Sequence, residues 1–313
     1  MKNIWIIGAG NIAQEYAKIL NSLGFAFTVI GRGEEKARIF KEATGHNVII
    51  GGLEKYISTN PIIPDYAIVA VNLGSLSSTC ITLMNYGVNK ILCEKPGFLY
   101  PSECAEVLKV AEDTESNVYL AYNRRFYSSV LKAEEIINED GGVKSFNFEF
   151  TEWGHVIEKL NKPKGDLDNW FYANSSHVVD LAFFLGGKPT QLSAFTAGEI
   201  SWHKPAAFAG AGITDKGAIF SYAANWAAPG RWGLEILTSK HRLYLRPMEQ
   251  LQIQNIGSVV ISPVEIDDHL DKEFKPGFYQ ETKAFVSDDT KRLCSIKEQH
   301  ECVEMVYNKI VNK

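Results

Sequence analysis

A parallel, doubly wound α/β domain followed by an α+β domain built on one large, mostly antiparallel open sheet is the fold class this sequence predicts. Two observations carry that prediction. Over the first 121 residues, short apolar runs alternate with helical patterns that stop at glycine, the alternation that builds a parallel sheet through right-handed crossovers. After Tyr122 the rhythm changes to longer runs in which apolar and polar side chains alternate, the period of a half-buried antiparallel strand. One cut then divides the chain into residues 1–121 and 122–313, each long enough for its own core.

Residues 3–7 form a continuous apolar strand, as expected where both faces of a parallel sheet are covered. Helical periodicity over 12–23 ends at Gly24. A strand over 25–30, a helix over 34–44 ending at Gly45 and a short strand over 48–50 follow. Residues 66–71 are again a buried strand, 75–86 a helix closed by Gly87, and 88–93 a strand. A helix over 102–112 and a strand over 118–121 complete the first domain. In the second, 129–138 reads as a helix. Residues 143–152, 191–197, 218–226, 232–238 and 242–245 read as strands, with Pro229-Gly230 turning between two of them. Helices are expected at 175–185, 279–286 and 296–311.

Composition narrows the function classes. With 45% hydrophobic and 22% charged residues, the chain has the balance of a folded globular protein. A net charge of −5 argues against a nucleic-acid or anionic-membrane surface. No run approaches the ~20 apolar residues of a membrane span. Met1-Lys2-Asn3 leads directly into the first strand, so no signal peptide is expected. The five cysteines are scattered, without a C-x-x-C pair, which fits reduced thiols and a cytoplasmic location. His155 and His203 have no partner at metal-ligand spacing, and no metal is assigned.

Gly8-Ala9-Gly10-Asn11-Ile12-Ala13 sits between the first strand and the first helix. Small residues at this spacing permit a tight turn, close approach of backbone to a pyrophosphate, and helix–strand packing. Gly8, Gly10, Asn11 and Ile12 are therefore candidate dinucleotide contacts. The second strand ends Val29-Ile30-Gly31-Arg32-Gly33, with no acid to meet a ribose hydroxyl. Arg32 suits the 2′-phosphate of NADP, the expected cofactor, with NAD as the alternative because Glu34 and Glu35 follow closely.

Further along the same sheet, Ile91-Leu92-Cys93 leads into Glu94-Lys95-Pro96. Proline cannot continue the ladder, so Lys95 is released at the carboxyl edge where open α/β sheets bind ligands. Asn72, Glu94, Lys95 and Arg125 join the candidate cofactor contacts. Hydride transfer at a carbinol carbon needs a proton relay at the substrate oxygen and stabilisation of alkoxide charge. A lysine ammonium polarises a carbonyl, and a histidine, which titrates near neutrality, shuttles the proton.

These motifs, together with Asn123-Arg124-Arg125-Phe126 and Ser175-Ser176-His177-Val178-Val179-Asp180, give a sequence that resembles the Gfo/Idh/MocA oxidoreductase family. The resemblance spans essentially the whole chain. It implies a Rossmann domain, a C-terminal sheet that mediates a homodimer or homotetramer, and a small-molecule sugar or cyclitol substrate. It also assigns Lys95 and His177 as catalytic groups. The family commonly has Asp four residues before this histidine, where the present chain has Ala173. Asp180, one helical turn beyond His177, is the expected substitute for fixing the imidazole tautomer. Asn174 is read as the cap of the His177 helix, with Val178, Leu181, Ala182 and Leu185 as its apolar stripe. Lys95, Arg124, Tyr127, Trp153, Asn174 and His177 are candidate substrate contacts, and Trp170, Tyr172, Trp226 and Trp232 add sugar-stacking or core aromatics. The expected activity is NAD(P)-dependent interconversion of hydroxyl and ketone on a sugar, cyclitol or nucleotide-activated sugar. The alternatives are a cofactor-binding sensor without turnover and a redox-assisted glycoside-cleaving enzyme.

Overall fold

The first strand, β1 (Ile4–Ile7), is buried at every position, as the unbroken apolar run requires. The computed structural model describes residues 2–312 and divides into two units, residues 1–123 with 273–300, and residues 124–272 with 301–313. A single cut at 121/122 lacks this return of the chain.

In the first unit β2 (Phe27–Gly31), β3 (Val48–Ile50), β4 (Tyr66–Val69), β5 (Lys90–Glu94) and β6 (Asn117–Ala121) join β1 in the order β6-β5-β4-β1-β2-β3, all parallel. This is the doubly wound order in which strand sequence reverses beside β1. The connecting helices are α1 (Asn11–Ser22), α2 (Glu34–Thr44), the short α3 (Leu53–Ile57), α4 (Leu76–Asn85) and α5 (Pro101–Asp113). Gly45 ends α2 at φ 78°, a left-handed conformation that glycine adopts without strain.

What brings residues 273–300 back is visible in their contacts. A helix over Phe278–Val286 sets Phe278 against Tyr16 of α1, with ring centroids 5.2 Å apart. Asp288, just beyond it, accepts hydrogen bonds from Tyr66 Oη at 2.8 Å and Lys90 Nζ at 2.6 Å. Cys294–Ser295 then pairs antiparallel with β6 as a seventh strand.

The second unit is built on an eight-stranded sheet. Its strands are β7 (Ser145–Glu149), β8 (Pro189–Ala197), β9 (Ala207–Thr214), β10 (Ile219–Asn225), β11 (Gly233–Leu237), β12 (His241–Leu245), β13 (Gln252–Asn255) and β14 (Ile261–Pro263). Their order is β14-β13-β12-β11-β7-β10-β9-β8, antiparallel except for the β7–β10 pair. Pro229-Gly230 therefore does not close a hairpin between β10 and β11, because β7 lies between them. The inward residues of β7, Phe146 and Phe148, meet Phe183, Phe220 and Tyr222 in one aromatic core. Phe183 comes from the helix Ser176–Gly186, which lies so close that a Cβ on Gly186 would sit 2.2 Å from the Phe146 ring. No described helix is long and apolar enough to cross a membrane.

Candidate functional site

The glycine turn after β1 is shaped by close approach. Gly8 has φ 121°, and a Cβ there would lie 2.2 Å from the Ala70 carbonyl oxygen, so no other residue fits. At Gly10 a Cβ would meet nothing within 4 Å. Gly10 caps α1 without a side-chain hydrogen bond, leaving the first-turn N–H groups around Asn11 and Ile12 for an anion aligned with the helix dipole. These residues fit a dinucleotide pyrophosphate, with backbone packed tightly on one side of the turn and open on the other. Arg32 follows β2 and is exposed, with Gly33 as the N-cap of α2. No acid stands at that strand edge.

Gly8, Asn72 and Lys95 follow β1, β4 and β5, which are neighbours in one parallel sheet, so all three lie at its carboxyl edge. Asn72 is exposed at the start of a 3₁₀ turn, and its carbonyl accepts from the Ser75 N–H at 2.8 Å. Lys95 is partly buried. Beside it, Glu94 accepts from Tyr16 Oη at 2.8 Å. Burial pushes the Glu94 carboxyl above its ordinary pKa, against the opposing pull of the Tyr16 hydrogen bond and the Lys95 charge.

The second unit gathers the other candidates, with partners the sequence reading does not assign. His177 and Asp180 are both buried, 5% and 3% exposed, so their helix is covered on the His177 side as well as along the apolar stripe. Asp180 is the residue the sequence offers for orienting His177. Both its carboxylate oxygens are engaged by Arg125, from Nε at 2.9 Å and Nη2 at 2.6 Å. Arg125, expected at the cofactor, thus stands in a buried bidentate ion pair, with its guanidinium 4.6 Å from the Phe184 ring.

Asn174 does not cap the helix. A π-helical turn over Phe171–Ser175 runs straight into it, with Ser175 already in helical geometry. π-turns widen the helix by one residue and recur at functional sites. Here the turn aims Asn174 Nδ2 and Ser175 Oγ at one acceptor, Glu152 Oε1, at 2.9 and 2.8 Å. Glu152 is 1% exposed. It brings a buried carboxylate to the segment that carries only alanine at position 173, and only the folded chain reveals this.

Trp153, Tyr127 and Arg124 come together with Trp232, one of the aromatics expected to stack on a sugar or fill the core, and with one further residue, Arg231. The Trp153 indole is half exposed and donates to the Gly230 carbonyl at 3.0 Å. Trp232 is buried and lies 6.2 Å from the His177 ring, centroid to centroid. Arg124 packs over Trp232 at 4.6 Å and Tyr127 at 5.8 Å. Trp226 and Tyr172 are core residues, 2% and 1% exposed. His203, which bonds the Pro205 carbonyl, packs tilted against Trp226 with ring centroids 4.6 Å apart.

Residues 2–122 match the family described as "Oxidoreductase family, NAD-binding Rossmann fold", GFO_IDH_MocA. The whole chain shares its fold with solved structures of low identity. UDP-N-acetylglucosamine 3-dehydrogenase from Acidithiobacillus ferrooxidans superposes with TM-score 0.75 at 13% identity, covering 99% of this chain and 97% of that one. A levoglucosan dehydrogenase in complex with NADH gives TM-score 0.79 at 16% identity, covering 99% and 96%. An NAD-binding oxidoreductase from Klebsiella pneumoniae gives 0.76 at 15%, again over 99% and 96%. No curated protein matches the chain.

Proposed function

We propose that this chain, whose N-terminal domain belongs to the Gfo/Idh/MocA NAD-binding oxidoreductase family, is an NAD(P)-dependent dehydrogenase. Its substrate is a sugar, cyclitol or nucleotide-activated sugar, at which it interconverts a hydroxyl and a ketone. One observation carries the reading: Lys95 stands at the carboxyl edge of the same sheet whose first turn, Gly8 to Gly10, is built for a dinucleotide. A bound nicotinamide supplies or accepts the hydride. Lys95 polarises the substrate oxygen and stabilises its developing charge, and His177 holds or donates the proton. Arg32 favours NADP, supported by its exposed position beyond β2 and by the missing acid there. A UDP-N-acetylglucosamine 3-dehydrogenase and a levoglucosan dehydrogenase among the similar folds support the substrate class.

A second reading, a sensor that binds cofactor without turnover, is favoured by Ala173, which can neither transfer a proton nor orient a charge. Glu152, held by Asn174 and Ser175, weighs against it. Self-association through the eight-stranded sheet is part of the proposal. Phe195 and Ile219, 71% and 63% exposed, share one face of β8–β10 and support it. The testing experiment follows reduced-cofactor absorbance with the wild-type protein over a panel of polyols, aldoses and nucleotide sugars. Sustained substrate-dependent change is the expected result. Tight cofactor binding with no change on any member would favour the sensor.

A further inference from the structure

We infer that the second unit holds its substrate by a negatively charged group, a carboxylate or phosphate on the sugar, received by Arg124 and Arg231. The inference rests on the sugar-dehydrogenase reading above and names the substrate class within it. Arg231 lies 4.8 Å from the Trp153 ring centroid and 4.7 Å from that of Trp232. Arg124 lies 4.6 Å from Trp232 and 5.8 Å from Tyr127. Cations and rings thus alternate in the order Trp153, Arg231, Trp232, Arg124, Tyr127.

A ring face holds a guanidinium plane through its quadrupole and uses none of the N–H donors at the edge. Those donors are not taken up elsewhere: neither guanidinium donates a hydrogen bond to another described residue. The carboxylate paired with Arg231 is Glu152, whose Oε2 stands 3.8 Å away, beyond hydrogen-bond length. The other Glu152 oxygen already accepts from Asn174 and Ser175. Trp232 Nε1 is a third donor in the stack, buried and without a hydrogen-bond partner.

The arrangement has an electrostatic cost. Burial lowers the Arg124 pKa, and Arg231 nearby lowers it further, while Tyr127, Glu249 and Glu152 offset part of this. An oxyanion relieves it: a planar carboxylate or a phosphate accepts from a guanidinium fork bidentately, in a geometry a sugar hydroxyl cannot reproduce. The half-exposed Trp153 and Arg231 leave that end of the stack open to an incoming ligand.

The test titrates the full-length protein with D-glucose, D-glucuronate and UDP-glucose, following tryptophan fluorescence, which Trp153 and Trp232 report. An anionic sugar should bind at least about tenfold more tightly than D-glucose, and the better of the two identifies carboxylate or phosphate as the source. Arg231→Met and Arg124→Met should each weaken it roughly ten- to a hundredfold, and Arg231→Lys should restore only part of the loss. Arg231 is at the surface, so its variant carries the test if Arg124→Met does not fold. Equal affinity for D-glucose and both anions, or wild-type anion affinity in Arg231→Met, overturns the inference. NADPH and NADH titrations on the same samples separate the two levels. A wild type that binds neither cofactor refutes the dehydrogenase reading, whereas intact cofactor binding with no anion preference refutes the stack as an anion site.

Discussion

Arg125 and Asp180 face each other with side chains 3% and 1% exposed, joined by two parallel hydrogen bonds. Removing either partner leaves the other charged and out of water, a loss of about 3–5 kcal/mol, whereas replacing both with apolar residues restores much of it. Arg125→Met should therefore lower the thermal midpoint sharply, and Arg125→Met/Asp180→Leu should recover toward wild type. Differential scanning fluorimetry reads both, and an unchanged midpoint in the single variant would contradict a buried pair. Arg32 is the opposite case, exposed and beyond a strand end. Arg32→Ala should leave the midpoint unchanged and weaken NADPH roughly ten- to a hundredfold with little effect on NADH. Equal wild-type affinity for the two cofactors would remove Arg32 from cofactor selection.

At the scale of elements, Asp140 ties the end of the helix Ser128–Glu139 to the β11–β12 turn. Its Oδ2 accepts from Thr238 Oγ1 at 2.7 Å and meets His241 Nδ1 at 2.6 Å. Burial alone would push its pKa up, but the bonds from Thr238 and His241 outweigh it and hold the carboxyl below its ordinary value. A depressed folded-state pKa adds stability above the unfolded value and loses it as pH falls through the folded one. The wild type should lose stability on acidification through the carboxylate range, and Asp140→Asn should flatten that limb and lower stability at neutral pH. Denaturant midpoints at several pH values check this; parallel profiles for the two proteins would exclude Asp140 from the linkage.

The same scale explains what could be read from the chain alone. Strands β1 to β6 announce themselves locally, because apolar runs and glycine-ended helices are short-range signals. Strand β9, Ala207–Thr214, does not. It is rich in Ala and Gly because its neighbours fill the space: a Cβ on Gly210 would lie 2.5 Å from the Tyr222 ring, and one on Gly212 2.7 Å from the Phe220 ring. That complementarity is a property of strand pairing and leaves no periodicity in the segment itself. The candidate site divides the same way. Gly8, Gly10 and Lys95 follow from motif and strand end. Glu152 and Arg231 join Asn174, Arg124 and Trp232 only through tertiary contacts, and nothing in their own neighbourhoods points to them.

For the whole molecule, topology and chemistry point the same way. The doubly wound sheet presents a glycine turn and a lysine along one carboxyl edge; the second unit, taken by itself, holds a buried histidine, a buried carboxylate and two arginines whose guanidinium groups donate no hydrogen bond to another described residue. Lys95 is proposed to act on the substrate oxygen rather than in holding the cofactor. The most direct test compares wild type with Lys95→Met, measuring NADPH affinity and turnover on the best substrate of the panel in the same preparation. Turnover should fall roughly a hundred- to ten-thousandfold in Lys95→Met, with cofactor affinity changed by less than about threefold. Near-normal turnover in Lys95→Met, or a loss confined to cofactor binding, would contradict it.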